Sequence, residues 1–124
     1  MIVVGSGPAG SAAAHYLASA GYDVILIDRC KFPRDKICGD FVSPVAQNEL
    51  AQLGITGTLE FKSANQITKA SVYLDDKKIV SRVVPKVQGL PRYGRVMPRF
   101  VLDKLLLDSA CRVGAVFLES LRAV

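Results

Sequence analysis

The chain has 124 residues, of which half are hydrophobic and 22% are charged, a composition typical of one small globular domain and not of a disordered chain. The formal net charge is +5, and residues 77–102 carry seven basic and no acidic side chains. Such a basic segment can be a solvated face, a surface covered by another part of the protein, or a surface that binds phosphates or acidic lipid headgroups. Three cysteines at unrelated spacings and a single histidine exclude a disulfide framework and a metal site of known ligand spacing, so we expect a reducing, cytoplasmic setting and no metal.

The first 28 residues have the pattern of a strand, a helix and a second strand. Residues 2–4 are β-branched, and residues 24–27 form a continuous apolar run, which is typical of a parallel strand covered on both faces. Between them, helical spacing places small or apolar residues on one predicted face: Ala9, Ala12, Ala13, Tyr16, Leu17 and Ala20. Gly21 then ends the helix. The pattern predicts a right-handed βαβ unit.

Three glycines and one acidic residue of this unit follow the pattern of a dinucleotide-binding site. Gly5 makes the tight turn, Gly7 lets the backbone approach a pyrophosphate, and Gly10 lets the helix pack closely on the strand. The helix N-terminus offers free N–H groups and partial positive charge to the phosphates. Asp28, at the end of the second strand, can accept hydrogen bonds from both hydroxyls of a ribose, and its charge would repel a 2′-phosphate. The pattern therefore predicts FAD or NAD and excludes NADP, without choosing between the first two.

The middle of the chain changes from a helical to a β-rich pattern. Ser43 suits an N-cap, Pro44 suits the first helical position, and Gly54 ends the helix. Further on, the segments ITKASVYL and KIVSRVV predict two strands joined by a hairpin turn at DDKK. Because such a hairpin does not belong to a simple doubly wound sheet, we interpret residues 56–95 as part of an inserted antiparallel substrate domain.

The helical period returns at Arg99 and ends at Gly114. One predicted face of this helix carries Leu102, Leu105, Leu106, Ser109, Ala110 and Val113. Residues 115–118 predict another parallel strand. The predicted fold is therefore α/β, with a Rossmann-like dinucleotide-binding βαβ core over residues 1–55 and 96–124 and the start of an inserted antiparallel β-sheet. Because both sheets look unfinished, we expect the chain to be a piece of a longer protein and to be inactive alone.

Four segments of the chain resemble the N-terminal third of geranylgeranyl-reductase-type flavoproteins, within the larger group of flavin enzymes that includes p-hydroxybenzoate hydroxylase. They are residues 2–28, DRCKFPRDKICGD, SPVAQNELAQLG and MPRFVLDKLLLDSACRVGA. The dinucleotide fingerprint is shared by many flavoproteins, whereas the K-x-C-G-D/E loop followed by an R-x-x-x-D-x-x-L helix is more selective. The resemblance is weakest at residues 56–95.

The resemblance implies an FAD-dependent oxidoreductase. In such enzymes NAD(P)H or another donor reduces the flavin, and the flavin N5 hydride reduces an isoprenoid double bond, while the protein positions the cofactor and excludes water. We therefore expect FAD, a small prenyl or lipid-like substrate, and peripheral contact with a membrane. No nucleic-acid partner is expected, because no aromatic-interleaved or helix-turn-helix pattern accompanies the basic residues. Two alternatives stay open: a flavin-dependent hydroxylase or epoxidase on the same scaffold, and a nucleotide-binding module without catalysis.

The resemblance also implies which residues contact FAD. The implied contacts are Gly5, Gly7, Ala9 and Gly10 at the pyrophosphate, Asp28 at the adenosine ribose, the backbone of Ala123 at the adenine, Arg99 at the start of its helix, and the Cys38, Gly39 and Asp40 turn on the flavin side. Lys36 places positive charge near the phosphates or the reduced flavin, and Arg34 is a second candidate for that role.

Cys38 is the candidate catalytic residue, since it lies in a glycine-containing, basic turn. Gly39 would let the backbone pass close to an aromatic ring system. The alternative interpretation of Cys38 is a small apolar filler. We interpret Cys30 and Cys111 as structural residues, because no charged or glycine-rich segment frames them in the same way.

Overall fold

The computed structural model describes residues 1–123. It contains eight strands and four helices within those residues. In chain order they are β1 (Ile2–Val4), α1 (Pro8–Ser19), β2 (Ile25–Ile27), β3 (Phe41–Val42), α2 (Pro44–Gln52), α3 (Leu59–Ser63), β4 (Asn65–Ile67), β5 (Lys69–Leu74), β6 (Lys77–Val83), β7 (Gly94–Val96), α4 (Arg99–Arg112) and β8 (Val116–Leu118). None of these helices is long and apolar enough to cross a membrane.

A parallel three-stranded sheet of order β1-β2-β8 forms the predicted βαβ core. Ile2 is paired with Ile25, which in turn is paired with Val116. Helices α1 and α4 cover one face of this sheet, where a first core of buried side chains unites the strands and helices: Ala14, Val24, Leu26, Leu107, Ala110 and Ala115. The α/β fold with a Rossmann-like core is therefore confirmed.

The other face of the parallel sheet is not covered by residues 1–123. Ile2 and Val4 are 69% and 62% exposed, and Val116 and Leu118 are also exposed. Parallel sheets normally have both faces covered, because their strands are apolar on both sides. This face therefore exposes an apolar surface of a kind that is usually packed against another layer.

A second core joins the α2 and α3 helices to an antiparallel sheet of order β3-β7-β4. Its buried members are Val42, Leu50, Leu53, Ile55, Phe61, Met97 and Leu106. The sequence pattern predicted neither α3 nor β4, although Thr58 caps α3 by accepting a hydrogen bond from the N–H of Phe61. Phe61 lies within the predicted inserted segment, yet it packs in one core with Leu106 of α4. The division into domains at residues 55 and 95 stays a prediction.

The predicted β-hairpin is confirmed as the antiparallel pair β5 and β6. Its turn contains Asp75, which has a φ of 48°, in the left-handed region that aspartate tolerates better than most residues. All six side chains of β5 are exposed, and a register shift between Val72 and Tyr73 marks a β-bulge. Within residues 1–123 the hairpin has no third strand.

The predicted apolar face of α1 is confirmed only in part, since Ala12 and Leu17 are partly buried against the two cores. Ala13 and Tyr16 are exposed, whereas Ser11 and Ala14 are the buried residues of the helix. Nearly every position of this helix is small or apolar, so periodicity alone does not distinguish its faces. The close approach of α1 to α4 determines which face of α1 is buried, because that contact requires small side chains such as Ala14 at the interface.

His15 is half-buried at the same helix contact. The hydroxyl of Ser109 donates to the carbonyl of Leu53 at 2.6 Å, and its Oγ lies 2.9 Å from His15 Nδ1. The Ser109 hydroxyl has only one proton, which it donates to the carbonyl of Leu53. Nδ1 of His15 therefore carries a proton and donates it to Oγ of Ser109. The imidazole thus connects α1 to α4.

Candidate functional site

The glycine-rich turn between β1 and α1 is built by close backbone contact. Gly5 has a φ of +94°, a conformation that favours glycine. A Cβ atom on Gly10 would lie 1.7 Å from the carbonyl oxygen of Gly5, a distance at which the turn and the helix would have to separate. Gly7 is the N-cap of α1, and no side chain in the described part of the chain caps it. The first N–H groups of α1 are therefore available to an anion.

Two buried serines hold this turn against the end of β2. The backbone N–H and the hydroxyl of Ser6 donate to Oδ2 of Asp28, at 2.8 and 2.9 Å. The hydroxyl of Ser11 donates to the carbonyl of Ser6 at 3.0 Å. The sequence analysis missed both serines. The available signal was the position of Ser6 between two glycines of the fingerprint, where a small donor can reach the acid at the end of the next strand.

Asp28 is 8% exposed and is held in its charged form. Burial by itself raises the pKa of its carboxyl group, but hydrogen bonds from the N–H groups of Cys30 and Ser6, the Ser6 hydroxyl and the charge of Arg34 outweigh that effect, so the pKa lies below its usual value. Oδ1 accepts from the N–H of Cys30 at 2.9 Å. These three bonds leave one lone pair, on Oδ1, for a further donor such as a ribose hydroxyl.

Two adjoining clefts open at the carboxyl ends of the parallel strands and share Asp28 and Gly5. The larger, of about 580 Å³, is lined by Val4, Gly5, Gly7, Pro8, Ala9, Gly10, Asp28, Arg29, Cys30, Arg34, Asp35 and Lys36. The smaller, of about 250 Å³, is lined by Val4, Gly5, Ile27, Asp28, Arg29, Leu121, Arg122 and Ala123. The structure thus brings most of the sequence-predicted site residues together along one continuous groove, at the edge where α/β sheets usually bind ligands.

The Cys38, Gly39 and Asp40 turn lies outside the lining of both clefts, as residues 1–123 form them. All three residues are exposed. Asp40 fixes the turn to α4, since its Oδ1 accepts from the N–H of Arg99 at 3.2 Å and its carbonyl accepts from the N–H of Met97 at 2.8 Å. A Cβ on Gly39 would meet no described atom within 4 Å. Within residues 1–123, therefore, no packing contact requires glycine at position 39.

Arg99 is also outside the lining of these clefts, because its guanidinium is buried against Asp103. Its Nε donates to Oδ1 of Asp103 at 2.7 Å, and its Nη2 donates to Oδ2 at 3.0 Å. These hydrogen bonds raise the pKa of Arg99 above its usual value; burial opposes the rise, and the charge of Asp103 and the adjacent Cys38 thiol add to it. The Cys38 turn and the start of α4 thus form one connected structure.

Asp103 and Arg34 complete a buried cluster that the sequence analysis did not assemble. Asp103 is fully buried, and its Oδ2 lies 3.4 Å from Nη2 of Arg34. The i, i+4 spacing of Arg99 and Asp103 is a signal for such a pair. No sequence signal indicates Arg34 as its third member, because the loop after β2 is far from α4 in the chain.

The groove fits the dinucleotide predicted from the sequence. The uncapped N-terminus of α1 and the side chains of Arg34 and Lys36 offer donors and positive charge for a diphosphate. Nε of Arg34 is buried and has no hydrogen-bond partner in residues 1–123, as expected of a group that completes its bonding with a ligand. The described residues contain no group of three or more His, Cys, Asp or Glu side chains placed to hold a metal ion.

Comparison with known proteins identifies the relatives of this chain. It is 40% identical over 124 residues to the menaquinone reductase of Mycobacterium tuberculosis, an alignment covering 100% of this chain and 29% of the relative. It is 34% identical over 123 residues to digeranylgeranylglycerophospholipid reductase 2 of Methanosphaera stadtmanae, covering 93% of this chain and 28% of the relative. The chain thus spans less than a third of the length of these curated relatives.

Solved structures share the fold. A flavoprotein/dehydrogenase from Cytophaga hutchinsonii superimposes with a TM-score of 0.85 at 23% identity, covering 99% of this chain and 30% of that protein. A geranylgeranyl bacteriochlorophyll reductase-like protein from Thermoplasma acidophilum gives a TM-score of 0.75 at 25% identity, covering 96% and 29%. The sequence profile of the FAD binding domain family matches residues 1–124. The chain therefore belongs to the FAD binding domain family, and its cofactor is FAD.

Proposed function

We propose that the protein reduces carbon–carbon double bonds of an isoprenoid or other lipid-like substrate. The observation that carries this proposal is the extent of the similarity to proteins named as reductases. The menaquinone reductase and the digeranylgeranylglycerophospholipid reductase align with 100% and 93% of the chain. Squalene epoxidase 5 of Arabidopsis thaliana, at 37% identity, aligns with 65% of it.

In this proposal the chain binds and orients the cofactor. The N-terminus of α1, with Arg34 and Lys36, holds the diphosphate, Asp28 holds the adenosine ribose, and Ala123 lies at the adenine. FAD supplies hydride transfer from N5, a proton completes the reduction of the double bond, and NAD(P)H or another donor supplies the two electrons. Cys38 and Asp40 act on the flavin side, in the turn that Arg99 connects to α4.

A flavin-dependent hydroxylase or epoxidase is the second candidate function. It is supported by the squalene epoxidase relative and by the fold of a 2-methyl-3-hydroxypyridine-5-carboxylic acid oxygenase, which has a TM-score of 0.81 at 24% identity. The same FAD site serves both functions, so the residues described above do not choose between them. The identity of the substrate and the reactivity of the reduced flavin with oxygen distinguish the two functions.

A location at the cytoplasmic face of a membrane is part of the proposal. Its support is the basic segment of residues 77–102, whose exposed members include Lys77, Lys78 and Arg82 on the β-hairpin. Exposed basic side chains are attracted to anionic lipid headgroups, and a lipid-like substrate would be found there.

The reaction is tested with the full-length protein. We expect it to purify yellow and to release FAD on denaturation. The flavoprotein is reduced in the absence of oxygen and mixed with a geranylgeranyl-bearing lipid. Mass spectrometry should then detect products heavier than the lipid by about 2 Da for each double bond reduced. A product heavier by about 16 Da that forms only with oxygen would establish the oxygenase instead. Colourless protein that takes up NAD and no FAD would contradict both functions.

Replacing Cys38 with alanine should leave FAD bound and lower the rate of substrate reduction by roughly tenfold, or change its selectivity. We expect Cys38→Ser to be the milder change if only the shape of the side chain matters. The measurements are FAD content and single-turnover rate. If Cys38→Ala matched the parent in both rate and products, the cysteine would be a filler in an ordinary turn.

Alkylation gives an independent check of the Cys38 position. Cys38 is exposed beside the Arg99 guanidinium. Burial, with the charge of Asp108, raises the pKa of the Cys111 thiol despite the nearby Lys104, so Cys111 should react more slowly and serves as the internal control. Bound FAD should protect Cys38 and leave the reactivity of Cys111 unchanged. Equal alkylation of Cys38 with and without FAD would show that Cys38 does not lie on the flavin side of the site.

A further inference from the structure

One buried carboxylate binds two arginines that come from different parts of the chain. Asp103 is 0% exposed. Arg99, at the start of the same helix, donates two hydrogen bonds to it, and Arg34, in the loop after β2, lies 3.4 Å from its Oδ2. A buried charge is costly unless it is paired. The pair formed by Arg99 and Asp103 is already neutral, so the guanidinium of Arg34 brings an additional positive charge.

This additional charge lies at the phosphate end of the groove. A Cβ on Gly7, the N-cap of α1, would lie 3.5 Å from Nη2 of Arg34. The guanidinium also lies over the ring of Phe32, with its carbon 5.1 Å from the ring centroid. Phe32 and Asp103 therefore hold the side chain of Arg34, which also lines the larger cleft. The other charged residues that line the groove are Asp28, Arg29, Asp35, Lys36 and, in the smaller cleft, Arg122.

We infer that Asp103 is a positioning residue for the diphosphate of FAD. Its carboxylate fixes the guanidinium of Arg34 beside the N-terminus of α1, so that the arginine and the helix N–H groups bind one anion together. Asp103 itself does not line either cleft as residues 1–123 form them, so it acts through Arg34. This inference rests on the FAD site described above and adds a residue to it.

A double-mutant cycle in the full-length protein tests the inference. Apoprotein is titrated with FAD, and flavin fluorescence gives the Kd of the parent, Asp103→Asn, Arg34→Gln and the double variant. Asparagine keeps the size of Asp103 and removes its charge. We expect Asp103→Asn to raise the Kd for FAD roughly tenfold when Arg34 is present, a coupling of ordinary size for neighbouring residues. With glutamine at position 34 the same change should raise the Kd less than about twofold.

Asp108→Asn is the matched control. Asp108 pairs with Lys104 at the same i, i+4 spacing on the exposed side of α4, so its loss should leave the Kd unchanged. If Asp103→Asn does not give a cooperative thermal transition, Asp103→Glu replaces it in the cycle, since it keeps the charge and moves the carboxylate.

An equal rise in Kd with and without Arg34 would overturn the inference, because Asp103 would then act through the fold or through Arg99. An unchanged Kd in Asp103→Asn would overturn it as well. Parent protein that fails to bind FAD would instead contradict the cofactor site as a whole, so the two failures are distinguishable.

Discussion

Replacing Gly10 with alanine in the full-length protein is expected to abolish FAD binding and to lower the free energy of unfolding by about 3 kcal/mol or more. The added Cβ would lie 1.7 Å from the carbonyl oxygen of Gly5 and 3.0 Å from its carbonyl carbon. Both atoms belong to the backbone of the tight turn, so no side chain can move aside to relieve the contact. The N-terminus of α1 would therefore shift away from β1. Flavin absorbance of the purified variant and its thermal transition measure the two effects.

Gly57→Ala is the control for the loss of a glycine. A Cβ on Gly57 would come no closer than 4.0 Å to a described atom, and the residue lies outside the lining of both clefts. This variant should keep the FAD content and stability of the parent. A Gly10→Ala protein that is yellow and as stable as the parent would show that the turn adapts, and that the close contact between Gly5 and Gly10 is not what orients α1.

Replacing Asp28 with alanine is expected to destabilise the protein by roughly 3 kcal/mol, because it leaves the N–H groups of Ser6 and Cys30 without their buried acceptor. The hydroxyl of Ser6 loses the same partner. In molecules that still fold, the loss of a charged acceptor at the ribose should weaken FAD binding by about 1.5–3 kcal/mol, a rise in Kd of roughly 10- to 150-fold. Urea unfolding and FAD titration measure the two quantities.

The stability difference between the parent and Asp28→Ala should depend on pH. The pKa of Asp28 in the folded protein lies below its usual value, so folding favours the charged form. The contribution of this carboxylate is fully present above the unfolded pKa of about 3.9 and is lost as pH falls through the lower folded pKa. The difference in the free energy of unfolding should therefore be constant near neutral pH and shrink below about pH 4.

Asp76→Ala serves as the reference substitution, since Asp76 is exposed in the hairpin turn, away from the groove. It should change neither the stability at neutral pH nor the affinity for FAD by more than about 0.5 kcal/mol. If Asp28→Ala bound FAD as the parent does, Asp28 would serve only to hold the turn through Ser6, and another residue would contact the ribose.

The βαβ unit and its glycine turn could be predicted from the sequence, because local constraints dictate them. Continuous apolar runs specify the strands β2 and β8, and the spacing of Gly5 and Gly10 is required by a tight turn followed by close helix packing. The hairpin of β5 and β6 was predictable for the same reason, since two β-rich runs flank a short polar turn. Asp28 could be assigned from its position at the end of a predicted strand.

Long-range packing determines which face of α1 is buried. Its sequence is almost uniformly small and apolar, so the position of α4, and not the periodicity, determines that Ala14 lies inside and Tyr16 outside. The short elements α3, β4 and β7 could not be predicted from the sequence either, because their stability comes from long-range contacts such as Phe61 with Leu106 and not from a local pattern.

The burial of polar side chains also depends on long-range contacts. Ser6 lies inside because Asp28 accepts both of its donors, and Asp103 lies inside because Arg99 and Arg34 pair with it. A polar side chain is buried only where another element supplies its partner. The pairing of Arg34 with Asp103 joins the loop after β2 to α4, and such a pairing exists only once the chain has folded.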